Sequence, residues 1–118
     1  MSRIALVAAG LVAALALAAP IGATSSVTKL TGSVGPGFTI TLKKGTAKVK
    51  TLKPGKYTIT VSDKSNIHNF HLKGPGVNKT TGVTQQGTVT WKVTLKKGKY
   101  TIVCDPHATL MKSTFVVS

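Results

Sequence analysis

The chain has 118 residues, a length from which we expect one domain and no more. Its 16 basic residues face only 2 acidic ones, so we expect a strongly positive surface that attracts acidic proteins or an anionic surface. Nucleic acid is not expected as a partner, because the lysines are scattered, Arg3 is the only arginine for bidentate phosphate contacts, and no predicted strand is rich in exposed aromatic residues for stacking on bases.

The N-terminal segment has the pattern of a secretory signal peptide. Arg3 precedes an apolar run over residues 4–19, and small residues then lead to polar Thr24. We predict cleavage after Ala23, which gives a signal peptide over residues 1–23 and an exported protein of the bacterial periplasm, cell envelope or exterior. An uncleaved membrane anchor is the alternative, although the apolar run is shorter than the roughly 20 residues that a spanning helix needs.

Residues 24–118 form the predicted domain, and their pattern is that of an all-β fold. Short runs rich in Thr, Val, Ile and Tyr alternate with turns that contain Gly or Pro, which predicts an antiparallel sandwich or barrel of about eight strands. The segment 51–59 recurs as 94–102, and the two copies resemble corresponding corners of a Greek-key β sandwich. The predicted strands cover residues 27–31, 38–42, 46–50, 56–61, 68–72, 88–95, 100–104 and 113–117.

Side-chain alternation assigns two candidate ligands to the interior. In an extended strand, alternate residues face the same way. His68 shares its side with Phe70 and Leu72, and Cys104 likewise continues the apolar side of its own strand. Both side chains are therefore expected on the inward face, where a buried site would form. His71 has the opposite parity, so it is expected on the surface or against a neighbouring loop.

The segment Cys104-Asp105-Pro106-His107-Ala108-Thr109-Leu110-Met111 brings three ligand types into one short loop. Thiolate, imidazole and thioether suit copper, and a His₂Cys set with a long axial Met is the arrangement of a blue-copper electron-transfer centre. His68 is the remaining candidate by position and parity. We therefore predict one copper ion held by His68, Cys104, His107 and Met111. The plain alternative for Cys104 and Met111 is that they only fill the apolar core.

These residues resemble the cupredoxins, the class of small exported copper proteins that includes plastocyanin-like and azurin-like members. The segment from Tyr100 to His107 is similar to the pattern Tyr-x-Phe-x-Cys-x-Pro-His, with Ile102 in place of the aromatic residue, and His68-Asn69 matches the His-Asn pair at the upstream ligand. The resemblance covers nearly the whole predicted domain. It implies a cupredoxin-like Greek-key β sandwich.

The resemblance also implies roles around the ligands. Asn69 would join the two ligand loops through hydrogen bonds, one of them to the cysteine sulfur. The imidazole edge of His107 would lie near the surface, ringed by apolar loop residues through which a partner makes contact. The chain combines a plastocyanin-like interval from Cys104 to His107 with an azurin-like interval from His107 to Met111.

The residues give no case for an enzyme. The two carboxylates, Asp63 and Asp105, are predicted in different loops, and four protein ligands leave a metal no open position for substrate. We therefore predict a monomeric blue-copper protein that carries one electron at a time to acidic redox partners. An envelope copper carrier or buffer would use the same ligands and is the alternative. A metal-free polyanion-binding or adhesive β domain is a third hypothesis, and it leaves the ligand spacing unexplained.

Overall fold

The structure is a computed structural model that describes residues 26–118, so the predicted signal peptide lies outside the described residues. The described chain forms ten β-strands and one turn of 3-10 helix, Asp105–His107. None of its helical segments is long and apolar enough to cross a membrane. The strands are β1 Thr28–Val34, β2 Ile40–Lys44, β3 Ala47–Lys48, β4 Thr51–Leu52, β5 Gly55–Asp63, β6 His71–Gly74, β7 Val77–Thr80, β8 Gly87–Leu95, β9 Gly98–Val103 and β10 Lys112–Val117.

The strands form two five-stranded sheets around one core, which confirms the predicted β sandwich. The first sheet has the order β3-β2-β1-β5-β8 and the second has the order β4-β10-β9-β6-β7. Most neighbours are antiparallel, but β1 runs parallel to β5 and β10 runs parallel to β4. Because β1 and β5 are parallel and in register, Val34 and Asp63 end their strands side by side. The loops that follow these two strands therefore leave the sandwich at the same end.

Alternation along the strands builds the core. In β5, Tyr57, Ile59 and Val61 are buried, while the residues between them are more exposed. Buried apolar residues from both sheets make one continuous cluster, to which Cys104 and Met111 also belong. Full burial of an aliphatic or aromatic side chain contributes about 1.5–3 kcal/mol. Because burial is favourable, the alternation determines which face of each sheet packs against the other sheet.

The structure has more strands than the eight predicted. The predicted strand 46–50 is wrong as a single strand, because the chain crosses there from β3 in the first sheet to β4 in the second. Strand β7 was missed since Val77 is its only apolar residue, which leaves no alternation to detect. The predicted strand 68–72 also begins later, at His71.

Trp91 is only half-buried, although it lies on the same side of β8 as the buried Val93 and Leu95. It packs against the rim of the core, with its ring centroid 6.1 Å from that of Phe70. Val89, two residues earlier on the same side of β8, is 41% exposed. The apolar side of β8 is thus covered fully only toward its C-terminal end, at Val93 and Leu95.

Candidate metal centre

Three connecting segments meet at one end of the sandwich. Two of them follow the parallel strands β1 and β5, and the third follows β9. A backbone hydrogen bond joins the first two where they begin, since Lys64 N donates to Val34 O at 2.9 Å, and the turn after β1 is closed by Gly35 N, which donates to Thr39 O at 3.0 Å. Gly35 has φ +77° and a Cβ there would lie 2.7 Å from Ser65 Cβ, so this close approach of the two segments requires glycine.

Three of the four predicted ligands converge at this end. His68 Nδ1 lies 3.0 Å from His107 Nδ1, and Cys104 Sγ lies 3.6 Å from each of these nitrogens. His68 and Cys104 are fully buried, whereas His107 is half-buried. Histidine nitrogen and cysteine sulfur bind ions such as zinc at roughly 2.0–2.3 Å, so two such atoms on one ion lie roughly 3–4 Å apart. The triangle therefore has the dimensions of a site for a single metal ion.

The burial of His68 supports the same conclusion. Its Nε2 is buried and has no hydrogen-bond partner among residues 26–118. Burying a polar group without such a partner costs free energy. The ring nonetheless stays buried with its other nitrogen, Nδ1, facing His107 Nδ1 and Cys104 Sγ, which places Nδ1 as a donor to an ion between them. The donor set, two imidazoles and one thiol, thus fits a copper ion in both chemistry and spacing.

The loop after β9 is held by its own backbone hydrogen bonds. His107 N donates to Cys104 O at 3.0 Å, and Met111 N donates to His107 O at 2.9 Å. Cys104 N in turn donates to Met111 O at 3.0 Å, which closes the loop. Pro106 lies in the first turn of the 3-10 helix, where the backbone N–H that proline lacks would have no partner within the helix. These bonds restrict the backbone of the loop and thereby fix the positions of Cys104 and His107.

Met111 lies in the same closed loop and its side chain is 1% exposed. Its backbone bonds to both Cys104 and His107, so the loop brings it beside the triangle. Its role as the axial ligand stays a prediction.

Asn69 joins the two ligand-bearing segments, as the resemblance implied, but through a different bond. Its side-chain Oδ1 accepts from Asp105 N at 2.7 Å, and its Nδ2 donates to Asp105 Oδ2 at 2.8 Å and to Thr80 Oγ1 at 2.9 Å. Within the described part of the chain, Asn69 makes no hydrogen bond with Cys104 Sγ, so that detail of the expectation was wrong. The connection runs to the residue after the cysteine.

His71 faces away from the triangle, as its parity predicted, and pairs with Asp105. Its Nδ1 lies 2.9 Å from Asp105 Oδ2, and its Nε2 lies 2.6 Å from Asn78 Oδ1. Partial burial raises the pKa of the Asp105 carboxyl, but the hydrogen bonds from Asn69 and His71 and the charges of His71 and Lys73 outweigh it and hold that pKa below its usual range. Asp105 is therefore an anion that braces the cysteine loop from outside.

Phe38 is a site residue that the sequence did not indicate. Its ring contacts both histidines edge-on, with centroids 5.0 Å from His68 and 4.7 Å from His107. It is nevertheless 54% exposed. The sequence placed Phe38 at the start of a strand, and only its position after Gly35-Pro36-Gly37 could have suggested that it lies in a loop.

A β sandwich with a cysteine and two histidines converging at one end, one of them in the loop before the last strand, is the cupredoxin architecture. The chain has the cupredoxin fold, and the resemblance seen in its sequence is confirmed at the level of the fold. The solved structures to which it is similar include several of rusticyanin.

Reduced rusticyanin matches with a TM-score of 0.57 and 22% identity, over 80% of this chain and 81% of that chain. Rusticyanin from Thiobacillus ferrooxidans matches with a TM-score of 0.56 and 23% identity, over 80% of this chain and 79% of that chain. A structure described as the copper protein rusticyanin matches with a TM-score of 0.57 and 21% identity, covering 80% of each chain. No protein-family model and no curated protein sequence matches the chain.

Proposed function

We propose that the protein is a blue-copper protein that carries one electron at a time on a mononuclear copper ion held by His68, Cys104 and His107, with Met111 as a long axial ligand. The observation that carries this proposal is the triangle of Cys104 Sγ and the two Nδ1 atoms at 3.0–3.6 Å. The similarity to rusticyanin, described as a copper protein, supports it. The ion would supply a one-electron couple between copper(I) and copper(II).

The protein's own residues supply a rigid site. His68 and Cys104 come from segments joined by Asn69, and the backbone bonds of the Cys104–Met111 loop fix the second imidazole. Such bracing keeps ligand geometry constant, which favours fast electron transfer because little has to rearrange. With Met111 as a ligand, no position stays open for a substrate, so we do not propose an enzyme.

The route for the electron would be the ring of His107, the half-buried member of the triangle. Phe38 lies against this ring and Leu110, three residues on in the loop, is 71% exposed. An apolar rim of this kind lets a partner approach closely and exclude water. We propose acidic redox proteins as the partners of this monomeric, exported protein, because the surface charge steers anionic molecules toward it.

The test is the visible spectrum of the purified protein after addition of copper(II). A strong charge-transfer band that disappears in Cys104→Ser and remains in Ser113→Ala supports the proposal. A band that survives Cys104→Ser would contradict it. A colourless protein that exchanges copper(I) quickly with a chelator and shows no reversible one-electron couple would instead indicate a copper carrier.

A further inference from the structure

A depression of about 330 Å³ opens on the outer face of the first sheet, away from the candidate metal centre. Three lysines line it, one from each of β1, β5 and β8: Lys29, Lys56 and Lys92. Thr58 and Thr94 lie among them. Val27, Tyr57 and Val93 complete the lining, which therefore combines ammonium and hydroxyl groups with apolar surface.

The strand register fixes how the lysines are arranged. Lys29 is opposite Thr58, which is opposite Lys92, so these residues form one row across three strands. Neighbouring strands lie roughly 4.8 Å apart, which places the Cα atoms of Lys29 and Lys92 roughly 10 Å apart. Lys56 lies one row further along, opposite Thr94. The spacing of the three ammonium groups therefore allows each of them to pair with a different anionic group of one extended molecule.

The rest of this outer face has the same chemistry. Its outward positions carry hydroxyl groups and two further lysines, Lys43 and Lys48, which are directly opposite each other. Like charges in that position destabilise a sheet. The outward hydroxyl residues are Thr31, Ser33, Thr41, Thr60, Ser62, Thr88 and Thr90.

No carboxylate neutralises the lysines of this face. The two acidic side chains of the sequence are Asp63 and Asp105. Asp63 is buried and accepts hydrogen bonds from Ser65 N and Thr81 Oγ1. Asp105 pairs with His71 at the metal end, and this is the one salt bridge within residues 26–118. The face is therefore a positive surface that lacks an anion of its own.

We propose that this depression binds an acidic polysaccharide, with Lys29, Lys56 and Lys92 pairing with its carboxylate or sulfate groups and the threonines hydrogen-bonding its hydroxyls. A polyanion is the ligand whose charge is complementary to that of this positive face. A lipid surface fits less well, since membrane-surface binding relies on bulky apolar side chains that enter the bilayer. A protein partner fits less well too, because the tryptophan, tyrosine and arginine anchors typical of such interfaces are not exposed here.

The position of the depression separates binding from electron transfer. Lys29 is at the start of β1, whereas the loop to the metal centre begins after Val34. Five residues of strand span roughly 17 Å. A polysaccharide bound by the three lysines would hold the protein in place and leave the His107 end free. This inference does not require that the proposed copper chemistry be correct.

The test compares two triple variants that each remove three positive charges. The first is Lys29→Gln/Lys56→Gln/Lys92→Gln, and the matched control is Lys50→Gln/Lys73→Gln/Lys99→Gln, whose exposed lysines lie on or beside the second sheet. Binding to polygalacturonate is measured by titration, with dextran as the neutral polysaccharide. Unfolding midpoints verify that both variants fold.

We expect the first triple variant to bind polygalacturonate roughly tenfold more weakly than the control, the combined effect of three exposed charge contacts. Equal weakening in both variants would overturn the proposal, because net charge alone would then explain binding. Equal binding to dextran would also overturn it, as would a loss seen only with vesicles of phosphatidylcholine and phosphatidylglycerol in equal parts. The copper(II) spectrum of the Lys29→Gln/Lys56→Gln/Lys92→Gln variant reports separately on the proposed function.

Discussion

His71 Nδ1 and Asp105 Oδ2 lie 2.9 Å apart, and this contact joins the start of β6 to the residue that follows Cys104. Asn69 holds the same aspartate through both its backbone N–H and its carboxylate. The cysteine loop is therefore braced from two positions on the neighbouring segment. His71 is not part of the triangle, but it contacts the residue that positions one of the triangle's members.

This contact predicts a loss of stability in acid. The pKa of Asp105 is held below its usual range, so its contribution is complete above the unfolded value of about 3.9 and disappears as the pH falls through the lower folded value. Asp105→Asn should lower the free energy of unfolding by at most about 1 kcal/mol near neutral pH, since the pair is partly exposed. Urea unfolding as a function of pH should show the difference from the parent protein closing in acid. A difference that is the same at all pH values would contradict the assignment.

The two upstream histidines should respond differently to substitution. His68→Ala removes one vertex of the triangle, so it should abolish the visible band formed with copper(II). His71→Ala leaves all three vertices in place, so it should keep most of the band. The reduction potential should shift, because Asp105 would lose its contact with His71. Absorption spectra and voltammetry of the two variants provide the measurement. Bleaching by His71→Ala alone would mean that the ligand assignment is wrong.

Gly74 provides a test of packing on the second sheet. A Cβ at this position would collide with the ring of Tyr100, which is fully buried and cannot move aside. Gly74→Ala should therefore cost about 1–3 kcal/mol of stability, as overpacking usually does. Gly37→Ala is the matched control, because a Cβ there meets nothing within 4 Å. Its effect should stay within about 0.5 kcal/mol. Equal shifts of the urea unfolding midpoint in the two variants would contradict this account.

The sequence predicted the parts of the site that depend on local spacing. The closed loop from Cys104 to Met111 and the inward side of His68 both follow from neighbours a few residues away. The contact of Phe38 with the two imidazoles could not be predicted in this way, because it depends on how three separate segments meet. The His71–Asp105 pair likewise joins residues 34 positions apart. Asn69 was expected to bond the sulfur, and only the folded backbone shows that Asp105 N lies in its reach.

The apolar rim around His107 should control electron exchange between two copies of the loaded protein. Both copies are strongly positive, so raising the salt concentration should speed self-exchange by screening their repulsion, which acts over roughly 8 Å at physiological ionic strength. Leu110→Lys places a charge within the closing contact, where it loses its hydration. It should slow self-exchange roughly tenfold even at high salt, which corresponds to about 1.4 kcal/mol.

Val116→Lys is the control for this experiment, because it adds the same charge to an exposed apolar position of β10, on the second sheet. It should slow self-exchange only at low salt, since its charge acts at a distance and is screened. Nuclear magnetic resonance line broadening in mixtures of reduced and oxidised protein measures the rate. If Leu110→Lys behaves like Val116→Lys at every salt concentration, the copies do not meet at His107, and the electron leaves through another part of the surface.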